Sequence, residues 1–209
     1  MPDNMSKHAK RQSARKTEIV KAATEIFFRE GYGRASMDQV HSVVGGSKRT
    51  LYKHFSSKDE LFIAIIERVS DRVLQVMVPE EIEGELENVL LTIGESYLKV
   101  ILSKDGLSLF RAMISEATHF PTLAKQFYEH GPGKVSSELA KFFRTKQKQG
   151  EMNGGDARAA AEQFLGMLRG DVHLTALLYG QKPRGASIVN HVECVVTSFL
   201  KSYGGNDKK

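Results

Sequence analysis

Apolar residues recur at helical spacing along nearly the whole chain. From Arg15 they fall at Ile19, Ala22, Ala23, Ile26 and Phe27, the rhythm of one buried helical face. Gly31 stops this helix, and Tyr32 can fold back against it. Ser36 offers a capping oxygen with Gln39 as its capping-box partner, and a short helix follows with Met37, Val40, Val43 and Val44 as its apolar positions. That helix ends at Gly45-Gly46, where left-handed backbone is cheap. Ser47 caps another short helix over Lys48 to Phe55, with Leu51 and Phe55 inward. Ser57 caps a third time, with Glu60 at the capping-box position, and a longer helix runs through Leu61, Phe62, Ile65, Ile66, Val69 and Val73 to Pro79.

The first three segments predict helices of about 16, 8 and 7 residues, and the last two have the helix-turn-helix layout. Beyond them, Glu80, Glu81, Glu83, Glu85 and Glu87 predict a loop followed by an acidic first helical turn. Helical patterns follow near 86–102, 105–118, 121–149 (interrupted at Gly131-Pro132-Gly133), 156–180 and 185–203. Turn signals at Gly154-Gly155 and Pro183 separate the later ones. No stretch alternates like a strand, so the fold class is all-α.

Charge adds a location to this pattern. The 209 residues carry a net charge of +5. The first 60 hold 12 Lys and Arg against 7 Asp and Glu, and the remaining 149 balance. Such asymmetry fits a polyanion-facing N-terminal module, nucleic acid or membrane surface, on a neutral body; a lysine-rich helical surface fits it equally well. Apolar content of 41% supports a sizeable core. A single cysteine, Cys194, rules out an internal disulfide. With no apolar run of spanning length and no h-region after the basic start, a soluble, cytoplasmic protein is expected.

Cations at helix starts sharpen the choice. The positive end of a helix dipole disfavours them. Yet Lys48 and Arg49 directly follow the Ser47 cap, and Lys58 follows Ser57. A phosphate-binding site explains both, because a helix N-terminus and a cation attract the same anion. In a helix-turn-helix the start of the second helix meets base edges while neighbouring groups hold the backbone. Thr50, Tyr52, Lys53 and His54 lie off the Leu51/Phe55 face and supply suitable groups. The DNA-contact candidates are therefore Ser36, Ser47, Lys48, Arg49, Thr50, Tyr52, Lys53, His54 and Lys58.

The run Ser47-Lys48-Arg49-Thr50-Leu51-Tyr52-Lys53-His54-Phe55-Ser56-Ser57-Lys58-Asp59-Glu60-Leu61-Phe62 resembles the recognition-helix signature of the TetR family of bacterial transcriptional regulators. Ile19, Ala22, Ala23, Phe27, Gly31 and Tyr32 match that family's first helix, and Ser36-Met37-Asp38-Gln39-Val40 the start of its second. His41 stands where the family usually has Ala, and Val44-Gly45-Gly46 where it has Ala-Gly-Val/Ile. Residues 107–180 resemble, more weakly, the C-terminal domain of the AefR-like branch, through Leu109-Phe110-Arg111, Phe120-Pro121-Thr122-Leu123-Ala124 and Ala161 to Asp171.

The resemblance implies about nine helices and a homodimer. It divides the chain into a flexible basic arm (1–14), a DNA-binding domain (15–60, helix-turn-helix about 36–55), a ligand-binding and dimerisation domain (61–203) and a polar tail (204–209). The partners it implies are a palindromic double-stranded DNA operator and a small-molecule inducer, with no cofactor and no membrane. Pocket candidates are Phe110, Met113, Phe127, Phe164, Met167, Leu168, Arg169 and His173. Dimer-interface candidates on the last two long helices are Leu174, Leu178, Ile188, Val192, Val195, Val196 and Phe199. Arg111, Glu116 and Asp171 join Arg169 and His173 as buried ion pairs or ligand-orienting groups.

Other readings are weaker. The seven histidines show no metal spacing, with His119 and His130 the only pair worth weighing; a core or interface thiol is the default for Cys194. Gly45-Gly46-Ser47-Lys48 lacks the phosphate-loop spacing, no nucleophile elbow appears, and no enzyme is expected. The competing function is a helical interaction protein whose basic end binds an anionic membrane or a protein partner.

Overall fold

The computed structural model describes residues 2–77, 84–180 and 185–205. Among these the chain forms ten helices: α1 Pro2–Glu30, α2 Met37–Val44, α3 Lys48–His54, α4 Lys58–Met77, α5 Leu86–Ile101, α6 Lys104–Glu116, α7 Pro121–His130, α8 Pro132–Lys148, α9 Ala157–Tyr179 and α10 Gly185–Tyr203. The interruption at Gly131-Pro132 separates two helices, which accounts for ten where about nine were expected. The end of the α4 pattern at Pro79, Glu80 to Glu83, Pro183 and the tail beyond 205 lie outside the described residues. No helix among the described residues is long and apolar enough to cross a membrane.

The expected flexible arm is helical: α1 continues back to Pro2. Residues 3–14 lack the apolar period, but they contain neither Gly nor a further Pro, and Pro2 sits in the first turn where proline is tolerated. Extending an existing helix costs little once the Ile19–Phe27 stretch is anchored.

The chain divides into two compact units. The first comprises Met1–Arg68 and Arg111–Phe127, the second Val69–Phe110 and Tyr128–Lys209. The division differs from the expected boundary at 60 because aromatic packing recruits later residues. The Phe62 ring centroid lies 5.4 Å from that of Phe27 and 5.2 Å from that of Tyr32, and Phe120 meets Tyr32 edge-on at 4.9 Å. Ile19, Ala23, Ile26 and Phe27 are buried as expected; Val20 and Thr24 join them in place of half-buried Ala22. Thr24 satisfies its hydroxyl on the Val20 carbonyl at 2.7 Å. In α2 only Met37 and Val40 are buried, whereas Val43 is 62% exposed. The helix is too short to bury both ends of its apolar stripe.

The second unit closes around Leu90, Ile93, Leu98, Leu139, Ala160 and Ala161, with Phe143, Phe164 and Phe199 packed at tilted angles between α8, α9 and α10. Gly94 lets α5 approach closely: a Cβ there would lie 2.7 Å from Val192 Cγ1 and 3.1 Å from Leu168 Cδ2. Of the dimer candidates, Val192, Val195, Val196 and Phe199 are buried in this core and are not available to a partner. Their stripe is the one face α10 needs to pack on its own unit. Ile188 is half-buried, while Leu174 and Leu178 are 51% and 65% exposed. Cys194 is exposed, not core.

Two local features were not legible beforehand. Gly170 breaks α9 with φ 32° and ψ −146°, and the Leu168 carbonyl beside the break accepts a hydrogen bond from His191 Nε2 at 2.9 Å. The start of the expected tail is tied down as well. Asn153 N–H donates to the Tyr203 carbonyl at 2.8 Å, and Gly205 N–H to that of Glu151 at 2.9 Å.

Candidate nucleic-acid interface

Three serine caps build the basic end of the first unit. Ser36 accepts from Gln39 N–H at 3.2 Å, while its own N–H and hydroxyl donate to Gln39 Oε1, completing the capping box. Ser47 Oγ accepts from Thr50 N–H at 3.1 Å and also meets Thr50 Oγ1 at 2.8 Å. Ser57 Oγ accepts from Glu60 N–H at 3.1 Å. The Glu60 carboxylate does not close the expected box on Ser57. It accepts from the N–H and hydroxyl of Ser56, at 2.7 and 2.8 Å, which lowers its pKa below the usual carboxylate value. The reciprocal bond has moved one residue back.

The turn between α2 and α3 is held by its carbonyls. Gly45 and Gly46 take φ values of 69° and 83°, left-handed backbone that any side chain would strain. Arg15 Nη2 donates to the Gly45 carbonyl at 2.6 Å and the Val44 carbonyl at 3.3 Å. His41 Nε2 donates to the Gly46 carbonyl at 3.0 Å, which fixes the proton on that nitrogen. Residues 41 and 46 both depart from the family pattern, and they meet here. A Cβ on residue 46 would stand 3.0 Å from Arg15 Nη2, so glycine at 46 makes room for the guanidinium. Arg15 was not foreseen in this role, because it lies on another helix and no local spacing connects them.

With that support, α3 buries Leu51 and Phe55, at 4% and 1% exposure, and presents Lys48, Arg49, Tyr52 and Lys53 to solvent. Thr50 and His54 are half-buried at its edges. No acidic residue occupies its first turn. Lys48 is not free in this state: its Nζ lies 2.8 Å from Asp38 Oδ1, which raises the lysine pKa and lowers that of the aspartate. Phosphate oxygens would compete with Asp38 for Lys48.

Lys58, expected as a phosphate contact, also braces the α1–α2 turn. Its Nζ donates to the Tyr32 carbonyl at 3.0 Å and the Gly33 carbonyl at 3.4 Å, and lies 4.2 Å from the centre of the Tyr32 ring. Tyr32 in turn donates to Asp59, and burial, followed by that bond, pushes its pKa well up. The α1–α2 turn thus engages the Lys58 ammonium through its carbonyls and the Tyr32 ring. Glu116 serves the same turn, accepting the Gly33 N–H at 3.1 Å, in neither of the roles expected for it.

The pocket candidates fall in both units. Met113 and Phe127 belong to the first unit. In the second, Phe164 and Leu168 are wholly buried core and Met167 is 37% exposed. Phe110, Arg169 and His173 do come together. Phe110 meets the His173 ring edge-on at 4.9 Å, and Arg169 Nη1 donates to Tyr97 Oη at 3.3 Å. His173 is buried, and its Nε2 has no hydrogen-bond partner. Burial first, and then the Arg169 charge, push its pKa down to about 4.

Comparison with known proteins matches both units' sequences. Residues 19–65 match the model of bacterial regulatory proteins of the tetR family, and residues 88–205 match the C-terminal domain of AefR-like transcriptional repressors. The transcriptional activator FasR of Mycolicibacterium smegmatis is 42% identical over 60 residues, 29% of this chain and 27% of FasR. An HTH-type transcriptional regulator of Mycobacterium bovis is 30% identical over 122 residues, 56% of this chain and 57% of its own length. The chain therefore matches less than two thirds of either relative. Among solved structures, a TetR-family regulator from Mesorhizobium loti superposes with a TM-score of 0.81 at 29% identity, covering 93% of this chain and 98% of the other. The flavonoid-responsive regulator FrrA gives 0.78 at 27%, covering 93% and 99%. With a helix-turn-helix whose second helix presents an exposed basic face, and with more than half of its length matched by the AefR-like C-terminal model, this chain belongs to the TetR family of bacterial transcriptional regulators.

Proposed function

We propose that this regulator is a dimeric repressor that binds a palindromic operator through α3 and is released by a small molecule bound in the second unit. The observation that carries the DNA reading is the exposed face of α3: Lys48, Arg49, Tyr52 and Lys53 at a capped helix start with no first-turn acid. Lys48 and Arg49 are the proposed phosphate and base-edge contacts, with Thr50, Tyr52, Lys53 and His54 completing the surface. Ser47 acts through its cap, and Ser36 as a helix start bordering the same face. Lys58 keeps its charge, but two of its three N–H donors already go to the Tyr32 and Gly33 carbonyls, so it stands behind Lys48 and Arg49 as a phosphate contact.

Repression is favoured because the C-terminal match, over residues 88–205, is to a domain described as that of a transcriptional repressor. Dimerisation is supported by apolar side chains left in solvent on α9 and α10: Leu174, Leu178 and Tyr179 at 51%, 65% and 70% exposure, with Val189 at 38%. Exposed apolar groups of this size mark interaction surfaces when they cluster. A response to small molecules is in keeping with the flavonoid-responsive neighbour. Ligand-dependent populations would alter the spacing of paired recognition helices. Helices α4 and α6 each continue from one unit into the other, giving covalent routes for such a shift.

Selection of duplexes from a random-sequence pool, then salt titration against the selected and a scrambled duplex, tests this reading. A steep salt slope with a specificity ratio above about 10³ is expected. Equal weak binding to every duplex would overturn it, and preferential capture by anionic vesicles would support the interaction-protein alternative. Arg49→Ala should weaken selected-duplex binding at unchanged thermal stability.

A further inference from the structure

Within the second unit, Tyr97 on α5, Phe110 on α6, and Arg169 and His173 on α9 form a cluster with hydrogen-bonding capacity to spare. Arg169 is half-buried, and its one hydrogen bond goes to Tyr97 Oη at 3.3 Å. Among the described residues no carboxylate pairs with it. A guanidinium offers five N–H donors, so most of its capacity is unspent. Tyr97 is 4% exposed and receives that bond. His173 is 5% exposed, and its Nε2 has no partner.

The backbone has been distorted at this spot. Gly170, between Arg169 and His173, leaves helical geometry at φ 32° and ψ −146° in the middle of a 23-residue helix that contains no proline. Mid-helix breaks and unsatisfied buried polar atoms both cost stability, so their coincidence points to a site. A half-buried guanidinium without a carboxylate partner, beside a buried imidazole nitrogen without any hydrogen-bond partner, favours an incoming group that is anionic. The Phe110 ring, edge-on to the His173 imidazole at 4.9 Å, adds an apolar wall suited to a flat hydrophobic body.

We infer that this cluster binds an aromatic organic acid, its carboxylate or phenolate oxygens accepting hydrogen bonds from Arg169 and Tyr97 while His173 and Phe110 flank the ring. The inference rests on the reading of the second unit as the ligand-binding part, and adds the class of ligand and the residues that select it. The neutral state of His173 suits the role, because a ring kept uncharged at neutral pH can hydrogen-bond without adding a second unpaired charge. A bound anion beside Arg169 would offset the field that now depresses its pKa.

The test uses the full-length protein and two probe acids, 4-hydroxycinnamate and 2-naphthoate, each paired with its neutral amide. Calorimetry should show saturable binding of at least one acid, with its amide weaker by about tenfold or more. Arg169→Gln should remove that preference and Arg169→Lys should restore part of it. Arg144→Gln, an exposed arginine on α8, should bind like the parent. The His173 ring resonances should move on addition of the acid, and melting curves confirm that each variant is folded. Binding of neither acid, equal binding of acid and amide, or parental binding by Arg169→Gln would each overturn the inference. A second readout separates it from the regulatory reading. Acid that binds through Arg169 without releasing the selected duplex upholds the site and counts against release by this ligand. Release that survives Arg169→Gln upholds the regulator and removes the site.

Discussion

Replacing His173 by leucine should stabilise the protein increasingly as pH falls. Three quantities set the size of the effect. The side chain is 5% exposed with Nε2 unpartnered, and an unsatisfied buried polar atom costs about 1–3 kcal/mol. The edge-on contact with Phe110 returns about 0.5–1.5 kcal/mol that leucine would forgo. Near neutral pH the two nearly offset, and His173→Leu should fall within about 1 kcal/mol of the parent on the stable side. The third quantity is the pKa, pushed down from 6.5 to about 4 by burial and then by Arg169. Between those two values the unfolded chain holds a proton on this ring that the folded chain refuses. Parental stability therefore rises with pH across the window, and the loss grows from pH 6.5 down to about 4. At 1.36 kcal/mol per pH unit, the full difference is about 3 kcal/mol. Urea unfolding of parent and variant, followed by circular dichroism at matched concentration from about pH 7.5 to 4.5, isolates this contribution because the carboxylates titrate alike in both. The gap between the two proteins should widen steadily as pH falls. A gap that stays constant with pH would refute the claim that His173 is buried neutral.

Other consequences concern close packing and the basic face. Gly94→Ala should destabilise by about 1–2 kcal/mol despite the better helix propensity of alanine, because the new Cβ would stand 2.7 Å from Val192 Cγ1; a gain in urea midpoint would contradict that approach. Gly46→Ala should cost about 1–2 kcal/mol, since it places a side chain at φ 83° and 3.0 Å from Arg15 Nη2. Its thermal melt should fall with that of Arg15→Ala, and an unaffected melt would argue against the carbonyl clamp. Lys48→Ala should reduce the slope of log affinity against log salt for the selected duplex by about 1. Asp38→Asn, which releases Lys48 from its 2.8 Å ion pair, should raise that affinity several-fold, and weaker binding would show that Asp38 serves α3 instead of competing with DNA.

The boundaries of α2 and α3 and the start of α4 were read well because their signals are local. Ser36, Ser47, Ser57 and Gly31 punctuate the chain, and apolar spacing marks what lies between. The reading failed where a residue's role depends on a distant element. Lys58 and Arg49 look alike as helix-start cations, yet carbonyls of the α1–α2 turn claim one and leave the other in solvent. Val192 and Leu178 look alike as apolar positions on long helices, yet one is fully buried and the other 65% exposed. Periodicity identifies an apolar face without saying what covers it.

The sequence by itself determined the all-helical architecture, the basic N-terminal end and the helix-turn-helix with its inward Leu51 and Phe55. Each of these follows from spacing, capping chemistry and charge within a few turns of chain. Tertiary structure decided which charges remain available, that Arg15 and His41 hold the recognition turn, and that α9 breaks at Gly170 beside a buried histidine nitrogen without a hydrogen-bond partner. Hydrogen bonds between residues some 30 or 70 positions apart have no periodic trace in a sequence, and burial removes or preserves a charge according to what folds over it.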